Sequence, residues 1–228
     1  MAGFRGREIV SEAVVLHSRT IRENDILVDL LTPEGRFWGV ARHGRKSQKR
    51  FGPVLETLNC LKIRYRDRDQ SMMMLEEATL QAPIIHDPLG LEALLSAFYL
   101  VDLVREFIPE KNQDPRLYPL LSESLAHLHT QEPSQVCLEF ESRFLKLSGY
   151  GLSFESCQSC QKPWEKHQSF FFVFLQGGIF CSDCLPSTAD HLPYTLHSLK
   201  KILPLFLEYQ LGKSLRSRKV LTQMMVWE

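Results

Sequence analysis

Two groups of residues have the types and spacing to do chemistry: four cysteines in the second half of the chain and a run of cations in the first quarter. The cysteines form two pairs, Cys157-x2-Cys160 and Cys181-x2-Cys184, with 20 residues between them. Each C-x-x-C turn presents two thiolates to one ion, and two such turns complete the tetrahedral shell of a zinc ribbon or knuckle. The set predicts one zinc per chain. Four thiolates leave no open coordination position, so that zinc would be structural and would not activate water. A zinc deaminase needs a H-x-E element, and none of the eight histidines sits in one. A redox C-x-x-C belongs in a βαβ context that this sequence lacks.

The cationic run is Arg42 to Arg50, in which Arg42, Arg45, Lys46, Lys49 and Arg50 place five permanent charges in nine residues. Phe37, Trp38 and Phe51 flank it. Cations neutralise phosphates and release their counterions, while aromatic rings offer stacking surfaces to unpaired bases. The combination predicts a nucleic-acid surface that favours single strands, with Trp38 and Phe51 as stacking rings and Arg64 and Arg66 as further cations on a neighbouring strand. For each ring, core packing is the competing reading. For Met72, Met73 and Met74, strand packing is the expectation. The sequence has no phosphate-binding G-x-x-x-x-G-K-[ST], no G-x-S-x-G and no paired-carboxylate signature, so a non-enzymatic protein is expected.

The elements that must position these groups follow from periodicity. Ala13 to Ser18, Ile26 to Leu31, Arg36 to Ala41, Leu61 to Tyr65 and Met72 to Leu80 read as five short strands, with Pro33, Glu34 and Gly35 as a turn. Five strands in about 70 residues suit a small closed barrel of the OB type, because closure removes edges that so small a sheet cannot protect. An SH3-like barrel is the alternative. After Pro83 the period changes: Asp87 and Pro88 read as the start of a helix that runs to Ile108, Asp114 with Pro115 opens a second, and Pro133 opens a third that ends at Gly149. Gly177 and Gly178 fit a hairpin turn leading into the second cysteine pair, and helix resumes from about Thr195 with a kink near Pro204. Cys60 and Cys137 fall on apolar patterns and read as buried thiols. The expected fold is therefore α+β, an N-terminal OB-type β-barrel followed by an all-α helical domain carrying a four-cysteine zinc element. Its expected divisions are a barrel at 1–82, a helical bundle at 83–150, a zinc-binding element at 151–190, and C-terminal helices at 191–228 packing on the bundle.

The formal net charge of zero hides an asymmetry: residues 1–68 hold 14 Lys and Arg against 8 Asp and Glu, and residues 69–228 hold 13 against 19. A basic part joined to an acidic remainder predicts a polyanion for the first and protein partners for the second. No stretch has the length of a signal peptide's apolar core or a membrane span, so the chain is expected to act in the cytoplasm, with no membrane contact.

Several segments together carry a family resemblance. They are Glu12-Ala13-Val14-Val15-Leu16, Glu23-Asn24-Asp25-Ile26-Leu27, Thr32 to Gly35, Ala41 to Lys46 running on to Arg50-Phe51-Gly52, Tyr99 to Leu103, and Phe144 to Tyr150 leading into the cysteine pairs. In this order the chain resembles the RecO family of bacterial recombination and DNA-repair mediators. The resemblance implies a protein without catalytic activity that associates with the nucleoid, binds single- and double-stranded DNA and anneals complementary strands. It implies contact with the C-terminal tail of single-strand-binding protein and joint action with RecR to load RecA. It also implies DNA contacts at Arg42, Arg45, Lys46, Lys49 and Arg50 and zinc ligands at Cys157, Cys160, Cys181 and Cys184. Lys200, Lys201 and Arg216 are suggested by charge alone as neighbours of the acidic tail.

Overall fold

The computed structural model describes residues 7–47, 49–51, 53–67, 72–82, 90–165 and 168–224. Five strands come first: β1 (Arg7–Ile21), β2 (Asp25–Thr32), β3 (Gly35–Ala41), β4 (Cys60–Asp67) and β5 (Met72–Ala82). They close into a barrel of order β1-β2-β3-β5-β4. β1 is long enough to serve two partners, its first half pairing with β4 and its second half with β2. A bulge between Val15 and His17 lets it bend from one to the other. All pairings are antiparallel except β3 with β5.

Strand alternation sends Ala13, Val15, Val28, Leu30, Leu61, Ile63, Met73 and Leu75 into one core. Val14, Leu16 and Leu31 lie on the opposite parity and are also buried. The helices account for this, since α1 (Leu91–Phe107) packs on β1 and α2 (Leu117–His127) packs on β1 and β2. Asp87 and Pro88, expected to open α1, lie outside the described residues. In the turn ahead of α2, Asp114 Oδ1 accepts a hydrogen bond from the Arg116 backbone N–H at 3.0 Å.

The turn between β2 and β3 shows why a glycine stands at its end. Gly35 has φ +133°, and a Cβ there would lie 2.2 Å from the Asn112 carbonyl oxygen. That close approach lets the Arg36 N–H donate to Asn112 O at 3.0 Å and the Lys111 N–H donate to Arg36 O at 2.9 Å, so the α1–α2 connection adds to the start of β3. Gly35→Ala is expected to destabilise the chain by about 1–3 kcal/mol from the backbone conformation alone, before the clash is counted. Urea unfolding checks this, and an unchanged midpoint would contradict it.

The chain divides into two compact units, Met1–Pro133 with Arg216–Glu228, and Ser134–Leu215. In this division α3 (Pro133–Leu147) falls almost wholly in the second unit, and α1 and α2 fall with the barrel, whereas the sequence expectation groups the three at 83–150. α5 (Arg216–Met224) returns to the first unit and packs on α1. The second unit also holds a sheet that periodicity does not reveal, β7-β6-β8, from β6 (Phe170–Val173), β7 (Gly178–Cys181) and β8 (His191–Tyr194). Its core is aromatic, with Phe172 edge-on to Phe206 of α4 (Leu199–Leu211) and Phe154 stacked between Phe172 and Tyr194. In the turn ahead of α4, Thr195 and Ser198 exchange hydrogen bonds between backbone N–H and side-chain hydroxyl, at 2.9 and 3.1 Å, and Gly212 ends the helix in the left-handed conformation.

Candidate nucleic-acid interface and metal centre

The cationic run forms the first part of the connection from β3 to β4. It is a chain of tight turns pinned at both ends. The Arg45 N–H donates to Asn24 O at 3.1 Å and the His43 N–H to Asp25 Oδ1 at 2.9 Å, which holds the loop on the β1–β2 turn. His43 adopts φ +54° to make this approach. At the far end the Ala78 N–H of β5 donates to Arg50 O at 2.9 Å, and Phe51 enters the barrel core.

Phe51 is 1% exposed. Its ring is therefore not a stacking surface, and the expectation that it would hold a base is corrected: core packing prevails because the loop must be anchored. The Arg50 guanidinium lies 5.1 Å from the Phe51 centroid, donates to Arg42 O at 2.9 Å, and so covers that ring from outside. Phe37 also packs against the barrel core. Trp38, of opposite parity, faces outward and its Nε1–H donates to Glu110 Oε1 at 2.5 Å.

The cations expected to meet nucleic acid fall into two groups. Arg64 bridges Glu8 and Glu77 at 3.3 and 2.8 Å, and Arg66 pairs with Glu76 at 2.6 Å. The two carboxylates hold the Arg64 guanidinium above its usual pKa range. Their charges are thus largely answered within the barrel, in contrast to the free cationic face that alternation along β4 suggests. Arg42, Arg45, Lys46, Lys49 and Arg50, by comparison, are exposed, and among the described residues none of them pairs with a carboxylate.

One buried pair lies outside the sequence expectations. Asp29 is fully buried and receives two hydrogen bonds from Arg36, Nε to Oδ1 at 3.0 Å and Nη2 to Oδ2 at 2.6 Å. The Arg36 Nη1 donates to the carbonyl of Arg105 at 2.7 Å and to that of Ile108. One guanidinium therefore ties two barrel strands to the C-terminal end of α1, where the carbonyls have no helical partner. The signal in the sequence is Asp29 itself, a carboxylate inside the apolar run Ile26 to Leu31, because an unpaired carboxylate is almost never fully buried.

The four cysteines meet in the second unit. Their Sγ atoms all lie within 4.8 Å of one another, and Cys160 Sγ is 3.8 Å from Cys181 Sγ. A tetrahedron of thiolates with bonds near 2.3 Å has edges of about 3.8 Å, so the cluster has the size of a zinc site. β7 brings the pairs together: Cys181 is its last residue, and the Gln158 N–H donates to Ile179 O at 2.9 Å. Gly177, at φ +61°, makes the turn expected before it. Burial opposes ionisation of Cys157, yet backbone N–H groups of Cys160, Cys181 and Ser159 outweigh it and bring the thiol down to about 6. At Cys184 the Ser159 hydroxyl favours the thiolate, but the neighbouring cysteine side chains prevail and push the thiol up to about 12. The four thiol groups are thus close enough together to serve as one metal site. Cys137 is buried, as expected; Cys60 is partly exposed, its thiol pushed up to about 11 by burial and then by Glu12.

Fold and site together define an α+β protein with a five-stranded barrel presenting an unpaired basic loop, and with a separate four-cysteine centre. Among the described residues no helix is long and apolar enough to cross a membrane. The chain matches the family model described as Recombination protein O N terminal over residues 7–84 and that described as Recombination protein O C terminal over residues 89–200, and it belongs to the RecO family. It is 30% identical to the DNA repair protein RecO of Syntrophus aciditrophicus, over 93% of this chain and 95% of the relative. To those of Syntrophotalea carbinolica and Geobacter metallireducens it is 34% and 36% identical, over 77% and 66% of this chain and 69% and 62% of theirs. Among solved structures it aligns with Entamoeba histolytica asparaginyl-tRNA synthetase over 86% of this chain and 42% of that one, at 13% identity and a TM-score of 0.31, a likeness too low to carry an argument.

Proposed function

We propose that this chain is a DNA-binding recombination and repair mediator without catalytic activity of its own. The observation that carries the reading is the contrast among its cations: Arg64 and Arg66 on β4 are paired with carboxylates, and the five on the loop are left for a polyanion. A loop pinned at both ends holds those charges in place before a ligand arrives, which lowers the ordering cost of binding. The barrel's strand order, with β1 shared between β2 and β4, supports the OB-type reading, and OB barrels bind nucleic acids.

By family membership the proposal extends to annealing of complementary strands and to loading of RecA with RecR on DNA covered by single-strand-binding protein, in the cytoplasm at the nucleoid. Purified protein is expected to bind single-stranded and duplex oligonucleotides with affinity that falls steeply with salt. Negligible binding at moderate salt, together with capture of an acidic protein partner, would replace the reading with a zinc-bearing interaction scaffold.

Zinc is proposed as a structural ion held by Cys157, Cys160, Cys181 and Cys184. It would fasten the segment before β6 to the end of β7. Elemental analysis of protein purified without added metal is expected to return about one zinc per chain. Removal by a chelator is expected to lower the thermal stability of the second unit, because ion binding adds to its folding free energy. A metal-free preparation of unchanged stability would reject this assignment.

A further inference from the structure

The three adjacent methionines do not share one fate. Met73 points into the barrel core, while Met72 and Met74 take the outer face of β5, Met72 at 46% exposure. β3 alternates in the same way. Gly39 faces inward, where a Cβ would meet Leu75 at 3.1 Å, and Ala41 is buried in the core. Trp38 and Val40 therefore face outward, and both are half-buried. Because β3 and β5 run parallel with Trp38 opposite Met72 and Val40 opposite Met74, these four side chains make one strip. Immediately after the end of β3 comes Arg42, the first cation of the loop. Across β5 the strip continues from Met74 to Arg66.

An indole, a branched aliphatic and two polarisable thioethers form an adaptable apolar surface. It leads directly into a concentrated positive charge. A ligand that matches both must carry flat apolar faces on a polyanionic backbone. A single strand of nucleic acid does so, whereas a duplex hides its base faces by stacking them on one another. Among the described residues, Glu110 and Glu76 border the strip and are already engaged, Glu110 by the Trp38 Nε1–H and Glu76 by Arg66. The first of these also holds the indole in place.

We propose that Trp38, Val40, Met72 and Met74 form a stacking platform for unpaired nucleotides whose phosphates pass onto the loop from Arg42 to Arg50. This rests on the DNA-binding reading of that loop and adds to it the source of single-strand preference. Trp38→Leu is expected to weaken binding of a single-stranded oligonucleotide by about 5- to 140-fold, the change that corresponds to about 1–3 kcal/mol for one stacked base. Duplex affinity and the salt dependence of both ligands stay unchanged. Trp38→Phe keeps a ring but loses the hydrogen bond to Glu110, so recovery of most of the affinity assigns the effect to stacking. Met72→Glu, at a position exposed enough not to disturb folding, selectively weakens single-strand binding and carries the test if Trp38→Leu fails to fold. Equal losses on single strands and duplex, or no loss on single strands, overturn the platform and leave the loop reading standing. Failure of the unaltered chain to bind either ligand overturns both.

Discussion

Neutralising Arg42, Arg45, Lys46, Lys49 and Arg50 together, each to Gln, is expected to lower single-strand affinity by about three orders of magnitude at 0.1 M salt. The figure follows from counterion release. Each phosphate neutralised on a single strand contributes about 0.7 to the slope of log affinity against log salt, so five contacts contribute about 3.5, acting over the tenfold interval below 1 M. The slope itself should flatten by the same amount. It is the more discriminating observable, because loss of fold abolishes binding without leaving a measurable slope. Folding should survive the change: all five side chains are exposed, and the backbone hydrogen bonds from Arg45 to Asn24 and from Ala78 to Arg50 do not depend on their charge. Arg50 is the exception to full independence, since its guanidinium covers Phe51 and donates to Arg42 O and to Ser47 Oγ at 3.0 Å. A variant that keeps Arg50 and changes the other four should therefore retain more stability and still lose most of the slope. A full set of substitutions that leaves affinity and slope unchanged would remove the loop from the interface.

Replacement of Arg36 by alanine is expected to destabilise the first unit by about 3–5 kcal/mol, the usual cost of stranding one member of a buried ion pair. Asp29 would be left with neither of its two guanidinium hydrogen bonds in a site that water does not reach. The carbonyls of Arg105 and Ile108 would lose the same donor. A double change, Asp29→Leu with Arg36→Met, removes the stranded charge and should recover part of the loss, though not all of it, because the two carbonyls still lack their partner. Urea unfolding of the two single variants and the double one gives the coupling directly. If Arg36→Ala alone is no less stable than the parent, the pair does not secure α1 to the barrel.

The Arg36 pair and the basic loop serve different ends of the same strand. Gly35 and Arg36 fix the start of β3 to the α1–α2 connection and to the end of α1, and Ala41 delivers its last residue into the core just before the cations begin. The loop therefore issues from a strand held at both ends. The α helices bury the outer faces of β1 and β2 at Val14, Leu16 and Leu31, while the outward residues of β3 and β5 keep part of their surface. Unequal covering of one barrel is what leaves Trp38 and Met72 beside the cations.

Local sequence is enough to locate the five strands, although β1 starts six residues before the expected Ala13, and it also locates the glycine turn, the main helices and the two cysteine pairs, because each depends on periodicity, on turn residues or on spacing within a short segment. It is also enough to put the five cations on one connection. Which rings are available is a property of the assembled fold. Phe51 and Trp38 both flank the basic run, and nothing local distinguishes a ring that anchors a loop in the core from one on the outer face of a strand. The same holds for Arg64 and Arg66, whose partners Glu8, Glu77 and Glu76 reach them only through pairing with other strands. α3 reads as one more amphipathic helix in a series, and its grouping with the cysteine unit is set by which apolar faces meet. Alternation along a strand states that two faces differ. Which of them is covered, and by what, is settled by contacts between segments far apart in the chain.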